Sequence, residues 1–133
     1  MKKTGKAGAT VIVLPQTDDH TLCVEFTGLI RAEDHRKAFA ENLGPMVEKN
    51  GWYNILIYHR PDFKGWEPDA ADISLRTIME YGKFCRRRAV VSPTEKLIMM
   101  QKMSGQLFGG ETKYFNDDQF QEALAWVRGG KKP

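Results

Sequence analysis

The sequence predicts an α/β domain built on a mixed, mostly parallel sheet. Short apolar runs typical of strands alternate with longer segments in which apolar residues recur every three or four positions, as in amphipathic helices. Strands that alternate with helices favour right-handed crossovers and parallel pairing. The chain has 133 residues, of which 41% are hydrophobic and 28% charged. This size and composition are those of one globular domain with one core.

The first two strands, at residues 10–15 and 21–27, are predicted to form a hairpin. Leu22, Val24 and Phe26 alternate with less apolar neighbours in the second strand, and a short cluster of polar turn residues separates the two. Two strands joined by such a turn pair antiparallel. We therefore expect one antiparallel strand at the edge of the sheet.

The first helix is predicted at residues 33–50. One face carries apolar residues at helical spacing: Phe39, Leu43, Met46 and Val47. Pro45 lies inside this segment and lacks a backbone N–H, so we expect a kink or two short helices. Gly51 supplies the stop signal.

The middle of the chain is predicted to hold a buried strand, a loop and a second helix. The strand at 53–60 has a near-continuous apolar run, which suits a strand covered on both faces. Residues 61–68 form a loop because they combine two prolines with a glycine. The second helix begins at Pro68 or Asp69 and runs to about Phe84. Its apolar residues line one face: Ala71, Leu75, Ile78, Met79 and Gly82.

The remaining elements complete the order β-β-α-β-α-β-α-β-α. A fourth strand is predicted at 88–92, a third helix at 94–107 and a short fifth strand at 111–115. The last helix begins at Asn116 or Asp117, and its inner face holds Phe120, Ala123, Leu124 and Val127. The prediction is a four- to five-stranded sheet flanked by four helices. Residues 10–128 form the domain, and 1–9 and 129–133 are expected to be flexible tails.

The charge distribution argues against nucleic-acid binding. The net charge is +3, but five lysines lie in the two tails, and without them the rest of the chain carries −2. The basic run in the body, three arginines at 86–88, immediately precedes an apolar strand. We expect two of these arginines to face solvent, and whether the run binds an anion stays open.

The spacing of the cysteines and the lack of a long apolar run exclude further classes of protein. Cys23 and Cys85 are interpreted as small buried residues, because two cysteines without a C-x-x-C spacing make neither a disulfide framework nor a redox motif. The basic start lacks the apolar stretch of a signal peptide, and nowhere do about 18 apolar residues follow one another. A protein without a membrane span, located in the cytoplasm, is the simplest interpretation.

Several short motifs resemble the SpoIIAA-like family, and the element order resembles the related STAS domain. The motifs are Phe63-Lys64-Gly65-Trp66, Arg88-Ala89-Val90-Val91, Phe108-Gly109-Gly110-Glu111 and the ending Phe115…Glu122-Ala123-Leu124-Ala125-Trp126. Together they cover roughly residues 21–127. The resemblance implies a four- to five-stranded sheet flanked by helices, similar in shape to anti-anti-sigma factors and to Sec14-type lipid-binding domains.

One departure from the STAS pattern excludes its regulatory mechanism. Anti-anti-sigma factors carry a phosphorylatable Ser where the third strand meets the second helix. Here residues 60–66 contain no Ser or Thr, and the first hydroxyl downstream, Ser74, lies one to two turns into the predicted helix. The phosphoserine switch therefore does not carry over, since no hydroxyl is placed to take the phosphate.

No catalytic or metal-binding motif is recognisable, and no cofactor is implied. The three histidines have no metal-ligand spacing. No Ser lies in a nucleophile elbow, and the glycines near 109 lack the Lys-Ser/Thr of a P-loop. His59 and Asp62 are close enough in sequence to pair, and we interpret them as a surface hydrogen bond. The chain is more consistent with a non-enzyme, although an enzyme that uses His59, Asp62 or Cys85 stays an alternative.

The loop at 61–68 is the predicted ligand-binding site, through Phe63 and Trp66 with Asp62 and Lys64. Two large aromatics in such a loop either fold back onto the core or cover a pocket. Ligands of open α/β sheets bind beyond the carboxyl ends of strands, where this loop lies. The leading hypothesis is a non-enzymatic module that binds a small apolar ligand or lipid.

The alternative hypothesis is a protein-interaction domain with a regulatory partner or a second copy of itself. Its basis is the methionine-rich third helix, which has apolar residues on more than one face: Leu97, Ile98, Met99, Met100, Met103 and Leu107. This pattern is typical of a helix packed on the sheet, and the alternative is an excess apolar stripe that binds a second copy or a lipid.

Overall fold

The computed structural model describes residues 8–92 and 109–130, and it contains a five-stranded sheet. In chain order the strands are β1 (Val11–Val13), β2 (Thr21–Phe26), β3 (Leu29–Ile30), β4 (Tyr53–His59), β5 (Gly65–Trp66), β6 (Cys85–Ser92) and β7 (Glu111–Asn116). The order across the main sheet is β1-β2-β4-β6-β7. β1 pairs antiparallel with β2, and all other neighbours are parallel. The predicted hairpin and mostly parallel sheet are confirmed.

The described helices are α1 (Ala32–Asn50), α2 (Pro68–Tyr81) and α3 (Phe120–Arg128), with single 3₁₀ turns at Gly82–Phe84 and Asp117–Gln119. α1 continues through Pro45 as one helix rather than two, because the residues on either side are anchored in the core. It ends at Gly51, whose φ is +80° and whose N–H donates to the Val47 carbonyl at 2.7 Å. The third helix predicted at 94–107 lies outside the described residues.

The direction of the crossovers decides which face each helix covers. From β2 to β4 to β6 the chain always moves to the next strand on the same side, so right-handed crossovers place α1 and α2 on one face. α3 covers the other face. The buried residues on the α1/α2 face include Leu22, Val24, Phe39, Leu43, Ile55 and Ile57. Those on the α3 face are Cys23, Leu56, Ala89, Val91, Phe115, Ala123, Leu124 and Val127.

α2 buries a different face from the apolar one that its sequence suggested. Ala70 and Thr77 are buried, whereas Leu75 is 47% exposed and Met79 71% exposed. α2 packs against α1 at a point where the Tyr81 hydroxyl comes close to Gly44. Small and polar side chains allow this close approach, so the larger apolar side chains of α2 are left on its outer side.

The arginine run lies inside β6, which begins three residues earlier than predicted. Arg88 is buried, while Arg86 and Arg87 are half-buried rather than fully exposed. Burial lowers the pKa of the Arg88 guanidinium, and the Tyr114 hydroxyl beside it favours the charged form. The Arg87 guanidinium donates to the Trp126 carbonyl at 2.7 Å and lies 4.8 Å from the centre of the Trp126 ring. Arg87 therefore stabilises the end of α3.

A buried amide joins three parts of the fold. The Asn54 side chain donates to the Gly130 carbonyl at 3.1 Å and accepts from the Arg87 N–H at 3.0 Å. We expect Asn54→Ala to lower the free energy of unfolding by about 2 kcal/mol, because it leaves two buried backbone groups without partners. Urea denaturation measures the loss. Asn50→Ala is the control, since Asn50 makes one exposed hydrogen bond, to the Asp19 carbonyl; equal losses in the two variants would contradict the prediction.

Candidate functional site

The carboxyl ends of β2 and β4 are joined by a small second sheet. β3 and β5 pair in parallel, Leu29 with Gly65 and Ile30 with Trp66. Around this pair the Lys64 N–H donates to the Gly28 carbonyl at 2.8 Å, and the Glu67 N–H donates to the Ile30 carbonyl at 2.9 Å. The predicted loop at 61–68 is thus partly a strand. Two residues are too few to show a strand pattern in sequence, which is why this pairing was missed.

An aromatic cluster lies beneath this small sheet, at the ends of β2 and β4. It comprises Phe26, His35, Phe39, His59, Phe63 and Trp66. Phe26 contacts all five other rings, with centroids between 5.3 and 6.3 Å away. Phe63 lies edge-on to both His59 at 4.9 Å and Trp66 at 5.1 Å. Such tilted contacts stabilise the cluster beyond the area they bury.

The four residues predicted as the site divide into two groups. Phe63 and Trp66 are brought together in the aromatic cluster, where both are half-buried and pack against the core. Asp62 and Lys64 are exposed. The Asp62 carboxylate accepts a hydrogen bond from the Thr27 hydroxyl at 2.8 Å. The aromatic half of the predicted site therefore forms a unit, and Asp62 serves to hold two loops together.

The expected surface pair of His59 with Asp62 is wrong. His59 is fully buried, and its Nδ1 lies 3.3 Å from the Val91 carbonyl, to which it donates. It is the last residue of a central strand, and Phe26 and Phe63 cover it. His35, which the sequence placed only on the first helix, is also buried and stacks on Phe39 at 4.0 Å.

Two polar atoms in the aromatic cluster are buried without a hydrogen-bond partner. They are the indole Nε1 of Trp66 and the Nδ1 of His35. A buried polar group left unpaired costs roughly 1–3 kcal/mol. The cluster therefore has hydrogen-bonding capacity that residues 8–92 and 109–130 do not use.

The protonation states at the cluster are set by burial. Burial lowers the pKa of both His35 and His59 to about 4, so both rings are neutral at pH 7. Burial also raises the pKa of Cys85 to about 12 and that of Cys23 to about 11, so both thiols stay protonated. At neutral pH these pKa values do not suit the histidines to acid–base catalysis or the cysteines to nucleophilic attack.

A concave region lies at the amino ends of β6 and β7, away from the aromatic cluster. It has a volume of about 260 Å³ and is lined by Arg86, Arg87, Gly110, Glu111, Gly129 and Gly130. Arg87 is already engaged there with the end of α3 and lies 3.4 Å from a Glu111 carboxylate oxygen. Its charge is thus compensated within the fold. Within residues 8–92 and 109–130, no three potential metal-ligating side chains come together.

Comparison with known proteins agrees with the fold. The model of the SpoIIAA-like family matches residues 21–128. The chain belongs to the SpoIIAA-like family. A crystal structure from Shewanella loihica PV-4, described as an uncharacterised protein of the DUF3478 family with a SpoIIAA-like fold, has a TM-score of 0.65 against this domain. The two chains are 22% identical, and the match covers 88% of this chain and 91% of that chain.

This level of identity shows a shared fold alone. No curated protein matches the chain. In the part of the chain that the structure describes, no helix is both long enough and apolar enough to cross a bilayer.

Proposed function

We propose that this SpoIIAA-like domain is a non-enzymatic binding module that takes a small apolar ligand at the aromatic cluster. The ligand has an apolar body and a hydrogen-bond acceptor, such as the carbonyl of an acyl chain. The observation that carries the proposal is the environment of Trp66. Trp66 is half-buried beside Phe63, while its indole N–H is buried without an acceptor among the described residues.

The position of the cluster supports ligand binding. It lies at the carboxyl ends of two neighbouring parallel strands, where open α/β sheets bind their ligands. The covering segment is held by a two-residue strand pair and contains Gly65, whose φ of +109° suits glycine. This pair is far shorter than the strands of the main sheet, so the segment is the part of the site that can open most readily. Opening there gives a ligand access to the faces of Phe63 and Trp66.

The chemistry of the neighbouring groups supports a binding role over catalysis. At pH 7 His35 and His59 are neutral and both cysteine thiols are protonated. The Asp62 carboxylate accepts a hydrogen bond from the Thr27 hydroxyl. The segment between β4 and α2 offers no hydroxyl for phosphorylation, and Ser74 lies inside α2. Regulation of the site by phosphate, as in the anti-anti-sigma factors, is therefore not part of the proposal.

The test compares Trp66→Phe with wild type by titration with a fluorescent long-chain polyene fatty acid. Trp66→Phe keeps an aromatic ring but removes the N–H. We expect binding to weaken about five- to tenfold, which corresponds to one hydrogen bond of roughly 1–1.5 kcal/mol. Trp66→Ala is expected to weaken binding further while the domain stays folded.

Trp52→Phe is the matched control. Trp52 stacks on His20 with ring centroids 4.8 Å apart, outside the aromatic cluster. Its replacement is expected to leave the affinity unchanged. Equal affinities for wild type, Trp66→Phe and Trp52→Phe would refute the proposal, and so would a sharp fall in the melting temperature of Trp66→Ala, because Trp66 would then be a core residue.

A further inference from the structure

The outward side of α2 carries an apolar stripe that is largely exposed. The outer stripe consists of Ala71, Leu75, Ile78 and Met79, at the spacing i, i+4, i+7 and i+8. Ile78 is half-buried, whereas Leu75 is 47% exposed and Met79 71% exposed. From Ala71 to Met79 the stripe is about 12 Å long at 1.5 Å per residue. Exposed apolar side chains in a row on one helix mark an interaction surface.

We propose that the outer stripe binds the outer stripe of a second copy of this chain, with the two α2 helices antiparallel about a two-fold axis near Leu75. A symmetric contact requires a surface that is complementary to itself. Such an axis places Leu75 opposite Leu75 of the second copy. It also places the small Ala71 of each copy opposite the large Met79 of the other copy. The side chains of the stripe thus alternate in size as two packed helices require.

The charged residues beside the outer stripe also suit a contact between two identical copies. Asp72 and Arg76 are both largely exposed and lie 3.1 Å apart on the same helix. With the axis near Leu75, Asp72 of each copy comes beside Arg76 of the other. A parallel arrangement would instead place these charges on opposite flanks of the contact, where they do not pair. The antiparallel pair is therefore favoured by the attraction between the two copies.

A second copy fits this surface better than a lipid bilayer does. The charged residues of α2 are Asp69, Asp72, Arg76 and Glu80, so the helix carries a net charge of −2. Helices that lie on membranes are rich in Lys and Arg beside their apolar face, because the lipid surface is anionic. One helix pair is a small interface, so we expect a dissociation constant on the order of 10–100 µM. This inference concerns a surface separate from the aromatic cluster and does not depend on the proposed ligand.

Disulfide cross-linking of Leu75→Cys tests the two-fold arrangement. A residue next to the axis faces its own copy, so the variant is expected to form a covalent dimer under mild oxidation. The native Cys23 and Cys85 are both buried and do not compete. Glu80→Cys is the control, because Glu80 is exposed on α2 about 140° around the helix from Leu75. Cross-linking of Leu75→Cys no faster than Glu80→Cys would overturn the proposal.

Sedimentation velocity provides an independent readout. The mass of the wild type is expected to rise with concentration, whereas Leu75→Glu stays monomeric with an unchanged melting temperature. Asp72→Arg is expected to weaken the dimer, and the double variant Asp72→Arg/Arg76→Asp to restore it, since the exchanged charges pair again.

Three results would each overturn the dimer. The first is a wild type that stays monomeric up to about 1 mM, well above the expected dissociation constant. The second is a loss of stability in Leu75→Glu, since the stripe would then be covered within its own chain. The third is co-sedimentation of the wild type with vesicles of phosphatidylcholine and phosphatidylglycerol that Leu75→Glu abolishes.

Discussion

Gly110→Ala is expected to prevent stable folding. A Cβ at this position would lie 2.1 Å from the Arg86 carbonyl oxygen and 2.5 Å from that of Cys85. Both are backbone atoms of β6, which is hydrogen-bonded on both sides and cannot shift without disrupting the sheet. We expect a loss on the order of 4 kcal/mol or more, which approaches the whole stability of a domain at the lower end of the usual range of about 5–15 kcal/mol. Soluble yield and urea denaturation followed by circular dichroism measure it.

Gly44→Ala is the control for a glycine with space around it. Its Cβ would lie 3.4 Å from the Tyr81 hydroxyl, an ordinary contact. Inside a helix alanine is favoured over glycine by about 1 kcal/mol, but Gly44 precedes Pro45, whose ring disfavours the helical conformation of a residue with a Cβ. We expect this variant to stay folded, with a urea midpoint close to that of wild type. If Gly110→Ala were as stable as wild type, the register of β7 against β6 would be wrong.

Acid is expected to destabilise the domain strongly between pH 6.5 and 4. The pKa of His35 and of His59 falls from 6.5 to about 4 on folding because burial disfavours the charged ring. The unfolded chain therefore binds more protons in this window, and stability falls as the pH falls. Stability is fully present above about 6.5 and levels off below about 4. Each histidine contributes on the order of 3 kcal/mol to this loss.

His35→Phe tests the origin of the pH dependence. Phenylalanine keeps the stack on Phe39 and removes the unpartnered Nδ1. We expect the variant to be at least as stable as wild type at pH 7.5, with about half the loss of stability between pH 6.5 and 4. Urea denaturation at several pH values measures the slope. An unchanged slope would mean that His35 is protonated in the folded domain.

The sequence predicted the architecture because its strong patterns reflect the core. The apolar run of β4, the alternation in β2 and the inner face of α3 all correspond to buried residues. Such patterns are set by burial against a sheet, which periodicity reports directly. The close approach of β6 requires glycine at position 110, which no pattern in the sequence reveals.

The features that the sequence did not predict depend on tertiary contacts. The α2 pattern gives an apolar face, but the approach of α1 decides which face is buried. His35 and His59 look like surface residues by type, and only the packing around Phe26 buries them. For the candidate site, the aromatic pair Phe63 and Trp66 could be identified from its loop position. The unpartnered indole N–H of Trp66 could not, because it follows from a fold that brings no acceptor to it.

Native mass spectrometry of the freshly purified protein, followed by denaturing extraction, shows whether the domain carries a bound small molecule. The wild type and Trp66→Phe are compared side by side. The proposed function predicts that the wild type retains a small molecule of lipid size and that Trp66→Phe retains less of it. A wild type that carries no small molecule and fails to bind the fluorescent fatty acid would contradict the proposed function.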